Sequence, residues 1–243
     1  MESLKITDCE SNIANIVYMY SGLSEVLSGA SRSFSTYYEG DRSVLEVSAD
    51  SEYVDLIRVE IEDKISDIIA VNYKYSCFSS VVHPYGLTKD ENEILISALI
   101  SADIDDDKQY IKQKIFSEKE YSVDGIFNFR LSSLKKKWKD VTSYVPKTFD
   151  SEKLKDFIAF ILDEKRSRRV FVENGKVFDK YFRRVNRTFL TGKQYGDGRL
   201  LNEILLSGGG EAELLSAVTD REEDYLREYL GNKIIFGKTC FFN

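Results

Sequence analysis

Six apolar residues, Phe127, Leu131, Leu134, Trp138, Val141 and Val145, recur at spacings of 4, 3, 4, 3 and 4. That alternation keeps side chains on one stripe of a 3.6-residue helix, so it predicts one long amphipathic helix. Pro146 ends it, because proline disfavours helix in the residue before it. At about 100° per residue, Lys136 points away from the seam, and Arg130, Lys135, Lys137 and Lys139 flank it. A helix of this kind must bury its greasy edge and leave its lysines in water.

A chain of 243 residues fits one large domain or two small ones. Its 42% hydrophobic and 31% charged residues are the proportions of a folded globular protein. Fifteen Tyr and 15 Phe supply core volume where only two Met and one Trp are present. Cys9, Cys77 and Cys240 are far apart and form no C-x-x-C pair, so no local zinc or redox motif is expected, and no cofactor. Met1-Glu2-Ser3-Leu4-Lys5 lacks the basic and apolar regions of a signal peptide, and no apolar run approaches the ~20 residues of a membrane span. Cytoplasmic residence is the expectation.

The net charge of −7 is strongly segregated. Residues 1–110 hold 8 Lys and Arg against 21 Asp and Glu. Residues 111–193 hold 21 against 11, and residues 194–243 hold 5 against 9.

In chain order, Leu4–Thr7 reads as a first strand and Asn12–Leu27 as a helix. Alternation through Ser33–Ser48 around Gly40-Asp41 reads as an antiparallel hairpin. Asp50-Ser51 can cap a helix carrying Ile57, Ile61, Ile65 and Ile68, which stops near His83-Pro84. Thr88-Lys89-Asp90-Glu91 is a capping box opening the next helix. Asp103–Asp107 interrupts that helix and starts a short one bearing Tyr110, Ile111 and Ile115. Asp150 caps a helix burying Leu154, Phe157, Ile158 and Ile161. Asn174-Gly175 within Val170–Phe178 signals a hairpin with a type I′ turn. Helical stretches follow near Leu200–Leu206, Glu211–Ala217 and Glu222–Leu230, then a strand at Lys233–Phe236. The fold class read from this is α+β and mainly helical: an N-terminal β-α-β-β unit, a central helical bundle, and a C-terminal hairpin with helices and a final strand. Soft divisions separate regions 1–50, 51–168 and 169–243, which can also form one continuous domain.

Several near-motifs fail on their chemistry. Asp103–Asp107 resembles a calcium loop, but Lys108 and Lys114 stand where Gly and a bidentate Glu are needed, so a solvated turn and helix N-terminus is expected. Gly231–Thr239 has one residue too many for a phosphate-binding loop and no helix after it. His83, the single histidine, sits in a His-Pro turn without a nucleophile motif. No catalytic or metal-binding residue is assigned, and nothing in the sequence argues for an enzyme. The basic segment, residues 130–193, supplies candidates for binding an anion or nucleic acid: Lys135, Lys136, Lys137, Lys139, Arg166, Arg168, Arg169, Arg183, Arg184 and Arg187. The bland alternative is that this basic half simply pairs with the acidic half.

Val123-Asp124-Gly125-Ile126-Phe127-Asn128-Phe129-Arg130-Leu131 is similar to a helix start in the YtxC-like family of sporulation proteins of endospore-forming bacteria. Glu60–Ile69, Leu154–Leu162 and Leu214-Leu215-Ser216-Ala217 resemble further elements of that family, and Asn128, Phe129 and Arg130 are the specific block. The chain departs from the family pattern at Val218–Arg221, which is shortened, and at Cys240, which stands alone where the family carries a cysteine cluster. The resemblance implies a cytoplasmic sporulation protein without an assigned activity, and hence a non-enzymatic interaction protein with a protein partner. Within the motif, Phe127 and Leu131 are expected in the core, with Asn128 and Arg130 satisfying buried polar groups near the helix start.

Overall fold

The computed structural model describes residues 2–26, 32–115, 119–165, 167–193, 196 and 198–237. Arg166, Cys240 and the Lys238-Thr239 pair of the apparent phosphate loop lie outside them. In chain order the elements begin β1 (Glu2–Cys9), α1 (Ile13–Val26), β2 (Arg32–Glu39), β3 (Arg42–Ala49) and α2 (Val54–Ile68). Next come α3 (Lys74–Ser79), α4 (Lys89–Ala102), α5 (Ile104–Lys114), β4 (Glu120–Ser122), α6 (Val123–Arg130), α7 (Ser132–Tyr144) and α8 (Ser151–Glu164). The chain continues through β5 (Arg169–Glu173), β6 (Lys176–Phe178), β7 (Arg184–Val185), α9 (Arg199–Ser207), β8 (Glu211–Leu214), α10 (Asp220–Leu230) and β9 (Ile234–Phe236). The protein is a mainly helical α+β protein. No described helix is long and apolar enough to cross a membrane.

The compact units do not follow the soft divisions near residues 50 and 168. One unit comprises residues 1–73 with 105–139, the other 74–104 with 140–243. The chain returns to the first unit because β4 pairs in parallel with β1, in the register Ile6↔Tyr121.

In the first unit, four strands run in the order β2-β3-β1-β4. The N-terminal β-α-β-β reading thus stands, with β1 antiparallel to β3 and the Gly40-Asp41 turn closing the hairpin. Leu4, Ile6 and Asp8 alternate onto the buried face, as period-2 geometry requires. Val54, Ile57, Ile61, Ile65 and Ile68 form the buried stripe of α2. A π-helical turn, Ile69–Tyr73, then shifts the helical register before α3. The expected Asp50 cap is not made. The chain enters through a 3₁₀ turn, Ser51–Tyr53, with the Tyr53 amide on the Asp50 carbonyl at 3.0 Å.

The predicted single long helix is two helices. Leu131 leaves helical geometry at φ −115°, ψ 32°, separating α6 from α7. The reason is in the packing. On one straight helix, residues 127 and 138 would stand about 16 Å apart along the axis, yet the Phe127 and Trp138 rings stack at 5.9 Å. The break lets both rings of the seam serve one core, with Leu131, Leu134 and Trp138 all buried. The acidic run opens α5 with Asp105 and Asp106 exposed, as expected of a solvated helix N-terminus, but Asp107 is buried and accepts from Trp138 Nε1 and Lys137 Nζ, each at 2.8 Å.

Acid pairing along α2 and α5 has a pH signature. Burial pushes the Asp63 carboxyl up and Asp67 adds to it, but Lys108 and Lys112 outweigh both and hold it below its ordinary value. A depressed folded pKa gives stability that is present above the unfolded value and lost as pH falls through the folded one, here below about pH 4. Asp63→Asn should therefore flatten the acid limb of a urea-midpoint profile between neutral pH and about pH 3. An unchanged limb would remove Asp63 from the acid response.

In the second unit, five strands run in the order β7-β6-β5-β8-β9. Asn174 and Gly175 both take positive φ, 51° and 67°, as the type I′ turn requires. The stretch expected as a helix at Glu211–Ala217 is instead β8, parallel to both β5 and β9. Glu, Ala and Leu favour helix locally, but Gly208 at φ 76° ends α9 and Glu211-Ala212-Glu213-Leu214 buries every second residue. Thr88 and Asp150 cap α4 and α8 as read from the sequence.

Candidate functional site

An apolar concavity lies in the second unit. Leu95, Leu99 and Ala102 of α4 form one wall, with Asp103 at its end. Val141 and Tyr144 of α7, with Val145 and Pro146 after it, form the second. Phe149, just before α8, and Phe157 of α8 form the third, and the cleft encloses about 430 Å³. That lies within the ~300–1,000 Å³ range of ligand sites.

Local chemistry fixes these walls. The Glu91 carboxylate completes the α4 capping box with the Thr88 amide at 2.8 Å and also accepts from the Ser151 hydroxyl, tying the start of α4 to the start of α8. Pro146 stops α7, and the chain then runs beside Tyr85, whose amide donates to the Lys147 carbonyl at 2.8 Å and whose carbonyl accepts from the Phe149 amide at 2.9 Å. The Phe149 and Phe157 rings meet edge to face at 6.5 Å. Gly86 closes the turn at φ +103°, and a Cβ there would stand 2.7 Å from the Phe149 carbonyl oxygen. Gly86→Ala should lower stability by about 1–3 kcal/mol through strain and that clash. A urea titration showing no loss would mean that this wall tolerates displacement.

The polar end of the cleft is neutralised from behind. Lys74 is fully buried and forms an ion pair with Asp103. Its ammonium also lies 5.5 Å from the Phe78 ring centroid. Burial pushes the Cys77 thiol up while Lys74 partly opposes the shift, so this half-buried cysteine stays a thiol and not a nucleophilic thiolate. Among the described residues no cluster of His, Cys, Asp and Glu could hold a metal. His83 is exposed in the turn after α3.

A second polar cluster, in the first unit, is closed upon itself. Asp8 accepts from Asn15 at 2.8 Å, Asn12 at 3.1 Å, the Tyr73 hydroxyl at 3.1 Å and the Cys9 amide at 2.8 Å. Burial pushes its carboxyl up against those four donors. The network fastens the end of β1 to the start of α1 and to the π turn.

The nine described candidate anion-binding residues are shared between the units. Lys135, Lys136, Lys137 and Lys139 belong to the first, and Arg168, Arg169, Arg183, Arg184 and Arg187 to the second. Lys135 donates to the Asn128 carbonyl at 3.0 Å and covers the Phe127 ring. Lys137 pairs with Asp107, Arg169 with Glu211 and Glu213 at 3.1 and 3.2 Å, and Arg183 with Asp179 at 3.0 Å. Arg187 donates to the Leu206 carbonyl at 2.7 Å. Lys136, Lys139, Arg168 and Arg184 are exposed.

Asn128, Phe129 and Arg130 are likewise exposed, Phe129 by 87%. The expectation that the motif's polar groups satisfy a buried site is corrected accordingly. They follow the last buried residue of α6, Ile126, and Arg130 donates to the Lys114 carbonyl at 3.4 Å.

The cleft was not legible beforehand, because its residues come from three separate stretches that read only as helix cores or helix ends. The signal nearest to it was Lys74, a charge four residues before Phe78 that follows the apolar run of α2. No protein-family model, curated protein or solved structure matches this chain.

Proposed function

We propose that this protein works by binding and not by catalysis, as a cytoplasmic sporulation protein that takes an apolar helical segment of a protein partner into the cleft between α4, α7 and α8. The reading rests on one observation: an open apolar cleft whose single carboxylate, Asp103, is ion-paired with a buried lysine. A cleft so lined offers burial without a nucleophile and base in reach of one another. Its apolar surface also continues past the cavity, through Tyr144, which is 84% exposed, and Phe160, the exposed ring one helical turn beyond Phe157. A continuous strip suits an amphipathic helix with anchors at i, i+3, i+4 and i+7 better than a compact small molecule. The sporulation setting comes from the similarity around Asn128-Phe129-Arg130.

The test is a titration of fluorescein-labelled amphipathic peptides, carrying Leu and Phe at those spacings, followed by anisotropy. Binding should be insensitive to salt, as apolar association is, and Ala102→Arg should weaken it at least about tenfold by filling the cleft from an exposed position. Peptides with the same composition but scrambled spacing should not bind. Equal binding of scrambled peptides, or indifference to Ala102→Arg, would refute the cleft as the site.

A further inference from the structure

The outward face of the five-stranded sheet carries an arrangement that the cleft does not use. Across β5, β6 and β7 the register pairs Phe171 with Phe178 and Phe178 with Arg184, placing two rings and a guanidinium in one row. Val172, Val177 and Val185 make the opposite, inner row. Phe182, in the β6–β7 connection, stacks on Phe171 at 4.8 Å and 13° and is still 59% exposed, which leaves its other face toward solvent. Tyr181 beside it is 66% exposed, with the Lys180 ammonium 4.9 Å from its ring centroid.

Phe182 sits at φ +57°, a left-handed conformation that a bulky aromatic residue adopts only under constraint. The constraint is Asp179. Its carboxylate accepts the Tyr181 amide at 2.8 Å, the Arg183 amide at 2.9 Å and Arg183 Nε at 3.0 Å, and its carbonyl accepts the Phe182 amide at 2.9 Å. Five residues are thus folded into a turn whose product is a ring held outward and stacked. Glu211 and Glu213 neutralise Arg169 on the β8 side. Toward the β7 edge, Lys176, Lys180 and Arg184 form no ion pair among the described residues.

We infer that this face binds single-stranded nucleic acid, with bases stacking on Phe182 and the β5–β6 rings and phosphates held by Lys176, Lys180 and Arg184. Planar rings interleaved with unpaired cations are what such a strand requires, since every base has a face to stack and every linkage a charge. The same rings are unsuited to duplex, whose bases are already stacked.

The experiment is anisotropy of fluorescein-labelled oligo-dT and oligo-rU, each about 12 nucleotides, against a duplex of equal length, with the full chain. Single strands should bind at about 50 mM salt and weaken about 20-fold by about 200 mM, the response of three phosphate contacts. The two sugars report whether the 2′-hydroxyl matters. Phe182→Gly removes the ring and relieves the positive φ, so it should raise or preserve the melting temperature while weakening binding about 5- to 150-fold. Arg184→Glu should weaken binding and flatten the salt dependence, and Ala102→Arg, in the cleft, should change neither. The inference is overturned if no strand binds at low salt, if duplex competes equally, or if Phe182→Gly and Arg184→Glu leave affinity unchanged. It is also overturned if sedimentation finds a dimer that Phe182→Gly dissolves, which would assign the face to contact between copies.

Discussion

Replacing Trp138 with Ala should cost about 3–5 kcal/mol of folding stability, the largest effect expected of any single change in the first unit. Trp138 is fully buried, stacks on Phe127 and donates its indole N–H to the buried Asp107 carboxylate at 2.8 Å. Truncation therefore opens a ring-sized cavity and removes a donor from a desolvated charge at the same time. The two contributions separate by substitution. Trp138→Phe keeps most of the ring but not the donor, and should cost about 1–3 kcal/mol. The chain has only this tryptophan, so wild-type fluorescence follows the first unit alone, and the variants are followed by far-UV circular dichroism in urea. A loss below about 1 kcal/mol in Trp138→Ala would mean that α7 does not pack as described.

In the second unit the comparable change is Lys74→Met, expected to cost about 3–5 kcal/mol. Methionine retains the aliphatic stem but leaves Asp103 without the buried ammonium that faces it. Asp103→Leu should be similarly severe, because it strands a charge that has no access to water. Combining the two should restore most of the loss, since an apolar pair of similar volume substitutes for a buried ion pair at little cost. Additive losses in that double-mutant cycle would mean that the pair is not coupled. The cycle also bears on the cleft, whose polar end is Asp103.

Much of the fold could be read from local chemistry. The Thr88 and Asp150 caps, the Asn174-Gly175 turn and the β1-α1-β2-β3 order each depend on a few neighbouring residues, and each is found where its chemistry placed it. What could not be read depends on partners distant in sequence. The 4-3 seam through Phe127 and Trp138 is compatible with one helix or two, and only the shared core decides for the break at Leu131. Glu211–Leu214 has helix-forming residues, and its strand state comes from pairing between β5 and β9, about 40 and 20 residues away. Asp107 looked solvated because the lysine and tryptophan that receive it lie about 30 residues on. The candidate sites were hidden for the same reason at larger scale. The cations flanking the seam were visible as a list, but Asp107, Asp179, Glu211 and Glu213 engage several of them. The cleft, in contrast, is assembled from residues that individually look like ordinary core.

The proposed partner binding is tested most directly by photo-crosslinking from the cleft in cells, with a benzophenone amino acid in place of Tyr144. A discrete protein adduct is expected, one that disappears when Ala102→Arg is introduced into the same chain and persists when Arg184→Glu is introduced instead. No adduct, or one indifferent to Ala102→Arg, would contradict it.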